Sequence, residues 1–296
     1  IPMDVSKAAY DNNSDAYDDF PEGEHYLQLS QTEKDMVDMV CDNFDDVIVI
    51  YNGANQFELG FTDEYPQIKS VVWCPGTGNV GFNALGKVFS GEVNPSGKTP
   101  DTFIYDMTTA PWWNNGEKIE YTNLADMAVE GMNAGSPQVY APAFTNYVEG
   151  IYVGYKYYET AAQEGFIDYD KTVQYPFGYG LSYTEFEQKM GELEEKDGQI
   201  SVDVEVTNTG DVAGKDVVEV YYNPPYTNGG IEKASANLIE FAKTDLLQPG
   251  DSQTVTVTFD VEDMASYDEN DAEAYVLEKG DYVISINRDS HTVLDQ

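Results

Sequence analysis

The sequence predicts two architectures in succession, an α/β region followed by an antiparallel β-sandwich. In the first half, continuous β-branched runs such as VIVI at 47–50 lie between segments of helical periodicity, a pattern typical of buried parallel strands. From Ile200 onward, apolar residues instead recur at every second position, which is the period of a strand with one buried face.

The first helix is predicted to begin at Thr32, with an acidic residue, Asp35, three positions later. The preceding residues 1–30 are rich in Asp, Asn and Tyr and are predicted to form a long loop. The helix carries apolar residues at the spacing of a face that packs on a core, namely Met36, Val37, Met39, Val40 and Phe44.

Two strands and a second helix complete the α/β pattern. Val47–Ile50 and Ile68–Trp73 are predicted to be buried and parallel. Val80–Ser90 (VGFNALGKVFS) is predicted to be helical, with Gly91 at its end. The order helix, strand, strand, helix predicts a layered α/β domain.

The middle of the chain is less regular. Residues 106–148 show no clear periodicity but contain paired Trp and several Pro and Gly residues, which predicts an ordered excursion and not a linker. Ile151–Tyr158 (IYVGYKYY) is predicted to be an aromatic strand, and the polar segment 187–197 (EQKMGELEEKD) a bridge between domains.

Short alternating runs separated by the turn signals NTG, PPY, NGG and QPGD predict the sandwich. Such runs over about 100 residues are typical of two packed antiparallel sheets. The apolar face of each run is expected to line the core, as with Ile200, Val202, Val204 and Val206, with Val255, Val257 and Phe259, and with Tyr282, Ile284 and Ile286.

The 296 residues carry a formal net charge of −39, with 41% hydrophobic residues and 23 tyrosines. That aromatic content predicts a folded protein with an acidic surface, because a disordered acidic chain would be poor in aromatics. A negative field repels nucleic acid and anionic membranes, so neither is expected as a partner. It does not oppose a neutral sugar polymer.

Cys41 and Cys74 are the only cysteines, and both are predicted to be free and buried. Two cysteines provide neither a disulfide framework nor the spacing of a metal site. No apolar run approaches the roughly 18–20 residues of a membrane span, and no signal peptide is recognised at residue 1. The compartment is left open between the cytoplasm and secretion, and the start at Ile1 indicates a chain internal to a longer one.

Two phosphate-binding patterns are near matches. Gly76-x-Gly78-x-x-Gly81 follows a strand and enters a helix, as a dinucleotide fingerprint does. The following SGEVNPSGKTPD lacks the required second strand, so the glycines are predicted to form a tight turn. GFNALGKV at 81–88 lacks the Ser or Thr that would hold magnesium, and no nucleotide cofactor is expected.

An acidic loop offers one metal alternative. Asp11, Asn13, Asp15 and Glu22 fit the ligand spacing of a calcium loop, but Ala16 replaces the glycine needed at the sixth position. In a chain with 54 acidic residues such spacing arises by chance. We therefore predict no cofactor and a solvated loop.

His25 and His291 are too few and too isolated for a histidine-based site, and no Gly-x-Ser-x-Gly elbow supports a serine triad. His25 is predicted to make hydrogen-bonded packing contacts. Trp112 and Trp113 either stack on sugar faces or fill a core. Core packing is the favoured interpretation for the tyrosine cluster at 152, 155, 157 and 158.

Several segments in order along the chain resemble family 3 of the glycoside hydrolases. They are FNALGKVFSGEVNPSGKTPDTF (82–103), NYVEGIYVGYKYYET (146–160), YPFGYGLSYTEF (175–186), NTGDVAGKDVVEVYYNPP (208–225) and LIEFAKTDLLQPGDSQTVTVTF (238–259). The last two resemble the family's fibronectin-type-III-like domain. EGEHYLQLSQTEKDMVDMV (22–40) resembles the segment that follows the family's acid/base loop.

The resemblance implies an α/β sandwich domain over residues 1–186, incomplete on its amino-terminal side. An immunoglobulin- or fibronectin-III-like sandwich follows over 187–296. It also implies part of a retaining β-glycosidase, in first place a β-glucosidase that acts on terminal β-D-glucosyl residues of oligosaccharides. A β-xyloside is the alternative substrate.

In that family the nucleophile is an Asp on a (β/α)8 barrel, which needs roughly 250 residues, and nothing here reads as eight βα repeats. We therefore expect both catalytic carboxyl groups outside this chain, the barrel as its partner, and residues 1–296 alone to be inactive. Glu24 imitates the acid/base motif but lies on the wrong side of the match, so it is kept only as an alternative acid.

The loop 10–20 follows the implied acid/base position, so Asp18, Asp19 and Phe20 are predicted to lie near the sugar. Carboxylates are strong acceptors for hydroxyl groups, and Trp112 and Trp113 are predicted to add aromatic surface. The alternative is a solvated loop. Two non-enzymatic classes also remain, a carbohydrate-binding or adhesive module and a calcium-dependent structural protein.

Overall fold

The computed structural model describes residues 19–20, 24–25, 27–115, 119–120, 123–133, 136–140, 143–144 and 146–296. Its helices are α1 (Gln31–Asn43), α2 (Phe82–Phe89), α3 (Leu124–Met127), α4 (Tyr155–Gln163) and α5 (Tyr169–Thr172). The strands of the first half are β1 (Val47–Tyr51), β2 (Ile68–Trp73), β3 (Phe103–Ile104), β4 (Ile119–Glu120), β5 (Val129–Asn133), β6 (Ser136–Tyr140) and β7 (Ala143–Phe144).

The second half is almost entirely β-structure, as the alternating runs predict. Its strands are β8 (Val173–Tyr175), β9 (Phe186–Lys196), β10 (Gln199–Asn208), β11 (Val217–Asn223), β12 (Asn237–Lys243), β13 (Ser252–Asp260), β14 (Ser266–Asp268), β15 (Ala274–Val276), β16 (Val283–Asn287) and β17 (Val293–Asp295). The fold class, α/β followed by an all-β sandwich, is confirmed.

The chain divides into two compact units, each made of separate stretches of sequence. Unit 1 contains Ile1–Gly76 and Asp106–Gly150, and unit 2 contains Thr77–Tyr105 and Ile151–Gln296. Unit 2 therefore holds the sandwich together with a segment from the first half of the chain. The domain boundary at 186/187 stays a prediction.

Unit 1 contains the predicted parallel strands. β1 and β2 pair in parallel, ending at the Tyr51–Trp73 pair. The prediction that both strands are buried is wrong, because Ile48 and Ile50 of β1 are exposed among the described residues and no residue of β2 is fully buried. Only one face of β1 is covered by other described residues. Its side chains are therefore alternately partly buried and exposed from Val47 to Ile50.

Helix α1 begins one residue before the predicted start. Ser30 is its N-cap: the Ser30 hydroxyl accepts from the Glu33 N–H at 3.3 Å, and the Glu33 carboxylate accepts from the Ser30 N–H at 2.9 Å. This reciprocal capping box satisfies two amides at once. It therefore sets the start of the helix in place of Thr32 and Asp35.

The apolar face of α1 is not packed as predicted. Met36, Met39 and Phe44 are exposed among the described residues, and Cys41 is the buried residue of the helix. Cys41 and Cys74 are free thiols, but Cys74 is half-buried and not fully buried as predicted. No helix of the described residues is long and apolar enough to cross a membrane.

The predicted excursion over 106–148 contains short strand pairs. β4 pairs with β7 and β5 with β6, both antiparallel. Short 3₁₀ helices at Met107–Thr109 and Trp113–Asn115 precede them. The segment is ordered by local pairing, which explains why it shows no long periodicity.

The glycines at 76, 78 and 81 lie in a tight turn, as predicted from the sequence. Gly76 and Gly78 have φ values of 57° and 58°, a region that glycine enters without steric cost. A Cβ at Gly81 would lie 2.3 Å from the Thr77 carbonyl oxygen. The geometry of the turn into α2 accounts for small residues at these positions.

The prediction of an aromatic strand at Ile151–Tyr158 is wrong. Gly154 has a φ of 59° and turns the chain, and the residues after it form α4 (YKYYETAAQ). Tyr158 and Ala161 are buried on one side of this helix, with the Glu159 carboxylate between them in sequence. The aromatic residues therefore supply a helix face, where tertiary contacts override their strand propensity.

The sandwich consists of a three-stranded sheet in the order β13-β10-β9 and a four-stranded sheet in the order β12-β11-β16-β17. All of these pairings are antiparallel. The core contains most of the alternating faces predicted from the sequence, with additions from β11 and from two connections: Val202, Val204, Val206, Val218, Val220, Leu247, Val255, Val257, Phe259, Met264, Ile284 and Ile286. The predicted Ile200 and Tyr282 pack against it and are half-buried.

The polar segment 187–197 is a strand and not a bridge. β9 pairs with β10 at the edge of its sheet, and Phe186 and Met190 pack on the core. Glu192, Glu194 and Glu195 are exposed. Charges on an edge strand oppose pairing with another chain, which explains why this strand reads as a linker in the sequence.

Candidate functional site

A carboxylate with several donors organises a cluster in unit 1. Glu58 lies in the loop that follows β1, and its side chain is 12% exposed. Its Oε1 accepts from the Met107 N–H at 2.7 Å and lies 3.3 Å from His25 Nε2. With the Gln28 amide oriented by its neighbours, Gln28 donates to Glu58 Oε2 at 3.0 Å. Glu58 thereby connects its own loop to residues 25–28 and to Met107, all within unit 1.

An aromatic surface lies beside this carboxylate. The His25 ring packs on Trp113 with centroids 4.7 Å apart, and Trp113 lies 6.1 Å from Trp112. Both tryptophans are half-buried. Each keeps apolar surface that a ligand could cover.

His25 is held on one side only. Its Nε2 faces Glu58, whereas its Nδ1 is buried without a hydrogen-bond partner among the described residues. A buried ring nitrogen without a partner costs free energy. Because this nitrogen is buried, a ligand does not reach it in this arrangement. The predicted hydrogen-bonded packing of His25 is observed.

The loop that carries the tryptophans is secured from its other end. The Asn115 amide donates to Glu149 Oε2 at 2.6 Å, and Trp113–Asn115 forms a single 3₁₀ turn. The bond joins the turn to the end of the excursion. It restricts the rotation of the turn that presents Trp113.

Asp19 is engaged at the start of α1. Its carboxylate accepts from the Thr32 N–H at 3.0 Å, and its carbonyl accepts from the Gln31 N–H at 2.8 Å. Hydrogen bonds from Ser30 and Thr32 lower the pKa of the Asp19 carboxyl. Asp19 is thus an anion at the positive end of a helix dipole. Its predicted contact with sugar stays a prediction.

The other predicted residues of this loop are placed as follows. Asp18 lies outside the described residues, and Phe20 is half-buried. Glu24, the alternative acid, has both carboxylate oxygens 2.7 Å from the Lys34 ammonium. In this structure Glu24 is therefore part of an ion pair with α1.

Of the predicted sugar-binding residues, Trp112 and Trp113 belong to this cluster. Two further members, His25 and Glu58, are not among the predicted sugar-binding residues. One feature of the sequence could have identified Glu58 as a candidate site residue. It lies in the loop after the carboxyl end of a parallel strand, where α/β folds place ligand-binding residues. The contact between His25 and Glu58 joins residues far apart in sequence, and no local pattern encodes it.

No group of three or more His, Cys, Asp or Glu side chains within the described ranges is arranged to hold a metal ion. The candidate calcium residues Asp11, Asn13, Asp15 and Glu22 lie outside those ranges. The calcium alternative therefore stays a prediction without a structural test.

Family models match both parts of the chain. The model of the glycosyl hydrolase family 3 C-terminal domain matches residues 5–155. The model of the fibronectin type III-like domain matches residues 216–290. The two matches follow each other in the order that the sequence segments predict.

Curated relatives are considerably longer than this chain. Beta-glucosidase A of Butyrivibrio fibrisolvens is 36% identical over 283 residues, which cover 89% of this chain and 30% of the relative. A beta-glucosidase of Ruminococcus albus is 35% identical, over 88% of this chain and 24% of the relative. The chain thus spans 30% and 24% of the lengths of these two proteins.

Solved structures agree with these relatives. A beta-glucosidase from Paenibacillus barengoltzii matches with a TM-score of 0.76 and 31% identity, over 99% of this chain and 31% of that one. Beta-glucosidase 3B from Thermotoga neapolitana, solved with glucose, matches with a TM-score of 0.72 and 31% identity, over 93% and 34% of the two chains.

Proposed function

Because this chain belongs to the family 3 glycoside hydrolases, we propose that it is the carboxy-terminal part of a β-glucosidase and forms one wall of that enzyme's active site. The substrate is a terminal β-D-glucosyl residue of an oligosaccharide. Support comes from two β-glucosidases whose sequence similarity extends over 89% and 88% of this chain. The same relatives do not favour an adhesive or purely carbohydrate-binding module.

The rest of the reaction belongs to a partner domain in this proposal. A retaining glycosidase needs two carboxyl groups about 5–5.5 Å apart, one as nucleophile and one as acid/base. We assign neither to a residue of this chain. A (β/α)8 barrel of the same protein supplies the nucleophile.

The observation that carries the proposal is the Trp112–Trp113–His25 surface fixed by Glu58. A glucosyl ring has an apolar C–H face that stacks on an indole ring, while its hydroxyl groups need donors and acceptors. The Trp113 ring packs on His25, whose Nε2 lies 3.3 Å from the Glu58 carboxylate, so polar groups lie next to the aromatic surface. This wall therefore orients the sugar and excludes water, and it holds no proton-transfer role.

The first test is made in the whole enzyme that contains this chain. Trp113→Ala should lower kcat/KM for an aryl β-glucoside by about 10–100-fold, because the stacking surface is lost. Trp113→Phe should retain most of the activity. Tyr147→Ala, which removes an exposed ring of unit 1, is the control. Unchanged kinetics for Trp113→Ala, in a variant that melts like the wild type, would remove the tryptophans from the site.

The second test concerns residues 1–296 alone. The purified chain should not hydrolyse an aryl β-glucoside, since we assign both carboxyl groups of the reaction elsewhere. Clear turnover that is abolished by Glu24→Gln would contradict this and would make Glu24 the acid.

Rates of the whole enzyme on aryl β-glucoside and aryl β-xyloside would decide the sugar specificity.

A further inference from the structure

A cavity of about 440 Å³ opens in unit 2 between α4 and the loop that joins β11 to β12. Tyr157 and Thr160 stand on the helix side, and residues 224–235 form the opposite side. This volume lies in the range of about 300–1,000 Å³ that is typical of small-molecule sites. The cavity is built entirely from unit 2, whereas the proposed catalytic wall belongs to unit 1.

Aromatic rings line much of this cavity. They come from Tyr152, Tyr157, Phe166 and Tyr226. Phe166 is 82% exposed and Tyr226 is 46% exposed. Rings that stay exposed beside a concave surface retain apolar area that a ligand can cover.

Polar groups accompany the rings. Glu164, Glu232, Gln163 and Asn228 line the same space. The Tyr152 hydroxyl donates to Glu232 Oε2 at 2.5 Å, which fixes one carboxylate at the rim. Carboxylate oxygens accept hydrogen bonds, and amides both donate and accept them. This set suits a ligand with many hydroxyl groups.

The charge of the cavity disfavours an anion. Lys233 belongs to the lining, but its ammonium is buried, donates to the Pro225 carbonyl at 2.7 Å and pairs with the Glu278 carboxylate. Glu164 and Glu232 leave a negative charge at the surface of the cavity. In a chain of net charge −39 this field repels phosphate or carboxylate ligands.

The walls are held in place before any ligand binds. The Ser235 N–H donates to Thr160 Oγ1 at 3.0 Å, which joins the loop directly to α4. The Asn237 amide donates to the Ala234 carbonyl at 2.8 Å and fixes the end of the loop. A preformed cavity loses less conformational entropy on binding.

We propose that this cavity, which is lined by residues of unit 2 alone, is a binding site for a neutral saccharide. A sugar ring presents an apolar face to an aromatic ring and a rim of hydroxyl groups to carboxylates and amides. Both kinds of partner converge here in one preformed space. The site does not depend on catalysis, but the choice of a β-glucosyl probe rests on the proposed function.

The proposal is tested by titration calorimetry of residues 1–296 with a sulfur-linked thiocellobioside, which resists glycosidases. We expect saturable binding that Phe166→Ala and Tyr226→Ala each weaken by about tenfold. Phe166 is mostly exposed, so its truncation does not threaten folding. Tyr275→Ala removes an exposed ring from β15, away from the cavity lining, and should leave binding unchanged.

Three results would overturn the saccharide site. They are no saturable binding, binding that neither Phe166→Ala nor Tyr226→Ala alters, and tighter binding of tetramethylammonium than of the thiocellobioside. The last would make the rings a cage for cations. Hydrolysis of an aryl β-glucoside by the Trp113→Ala variant of the whole enzyme tests the proposed catalytic wall and not this cavity. Either proposal can therefore fail without the other.

Discussion

Glu219 is a buried carboxyl group of unit 2. It lies on β11, is 3% exposed, and accepts a hydrogen bond from the Tyr221 hydroxyl at 2.9 Å. A Cβ at Gly178 would lie 2.4 Å from its carboxylate, so a glycine is needed there. Burial raises the pKa of Glu219 to about 7, against a smaller opposing effect of Tyr221 and Lys98.

The raised pKa makes unit 2 sensitive to pH. Between the unfolded value of 4.5 and about 7, the folded state binds more protons than the unfolded state. The free energy of unfolding therefore falls as pH rises through this window, by about 3 kcal/mol in total. Glu219→Gln should remove this loss and be more stable than the wild type above pH 7.

Urea unfolding at a series of pH values measures this effect. Glu205→Gln, on the exposed side of β10, is the matched control and should keep the wild-type slope. An equally steep pH dependence in Glu219→Gln would show that another group causes it. The apolar residues on either side of Glu219 are evident from the sequence. Its protonation is not, because it depends on burial that only the assembled sheets create.

At the scale of elements, the start of α1 depends on a short set of polar contacts. Ser30→Ala removes the hydroxyl of the capping box and should cost about 1 kcal/mol. Hydrogen exchange of the α1 amides is the suitable measurement, because it reports the stability of this helix directly. The first-turn amides should exchange faster in the variant.

Asp42→Ala is the control for this prediction. It changes an exposed acidic residue in the same helix but at the carboxyl end, where a negative charge opposes the helix dipole. The control should not speed exchange of the first turn. Equal exchange in Ser30→Ala and the wild type would mean that Asp19 alone holds the start of the helix.

Elements were predictable where one local signal dominates. The period of two in β10, β13 and β16 identifies both the strand and its buried face. The signal fails at α4 and β9 because tertiary contacts decide there. α4 is held by Tyr155, whose hydroxyl accepts from the Leu238 N–H at 2.9 Å, and by Glu159, which binds His291 at 2.8 Å. These partners lie 83 and 132 residues away.

At the scale of the whole molecule, the net charge of −39 is the dominant feature. Like charges repel in the compact state and destabilise it. Raising ionic strength from about 0.01 M to about 1 M shortens the Debye length from about 30 Å to about 3 Å. The melting temperature should therefore rise with added sodium chloride.

Differential scanning calorimetry in sodium chloride checks this expectation, with glycerol as a neutral additive for comparison. A melting temperature that falls or stays constant with salt would show that attractive ion pairs, such as Glu24 with Lys34, outweigh the repulsion. The composition predicts this behaviour without a structure. The wall of the site was less predictable, since Glu58, His25 and Trp113 meet only after the chain has folded.

The divided sequence of unit 2 has a consequence for synthesis. Residues 77–105 leave the ribosome early, and some of their partners emerge late: the Asn94 amide donates to the Ala213 carbonyl, and the Lys98 ammonium to the Arg288 carbonyl, 190 residues further on. At about 5–20 residues per second, Lys98 is synthesised roughly 10–40 s before Arg288. A nascent chain stopped at residue 186 would keep the partners of this stretch at 173–183, among them the β3–β8 pairing, but would lack those at 213 and 288.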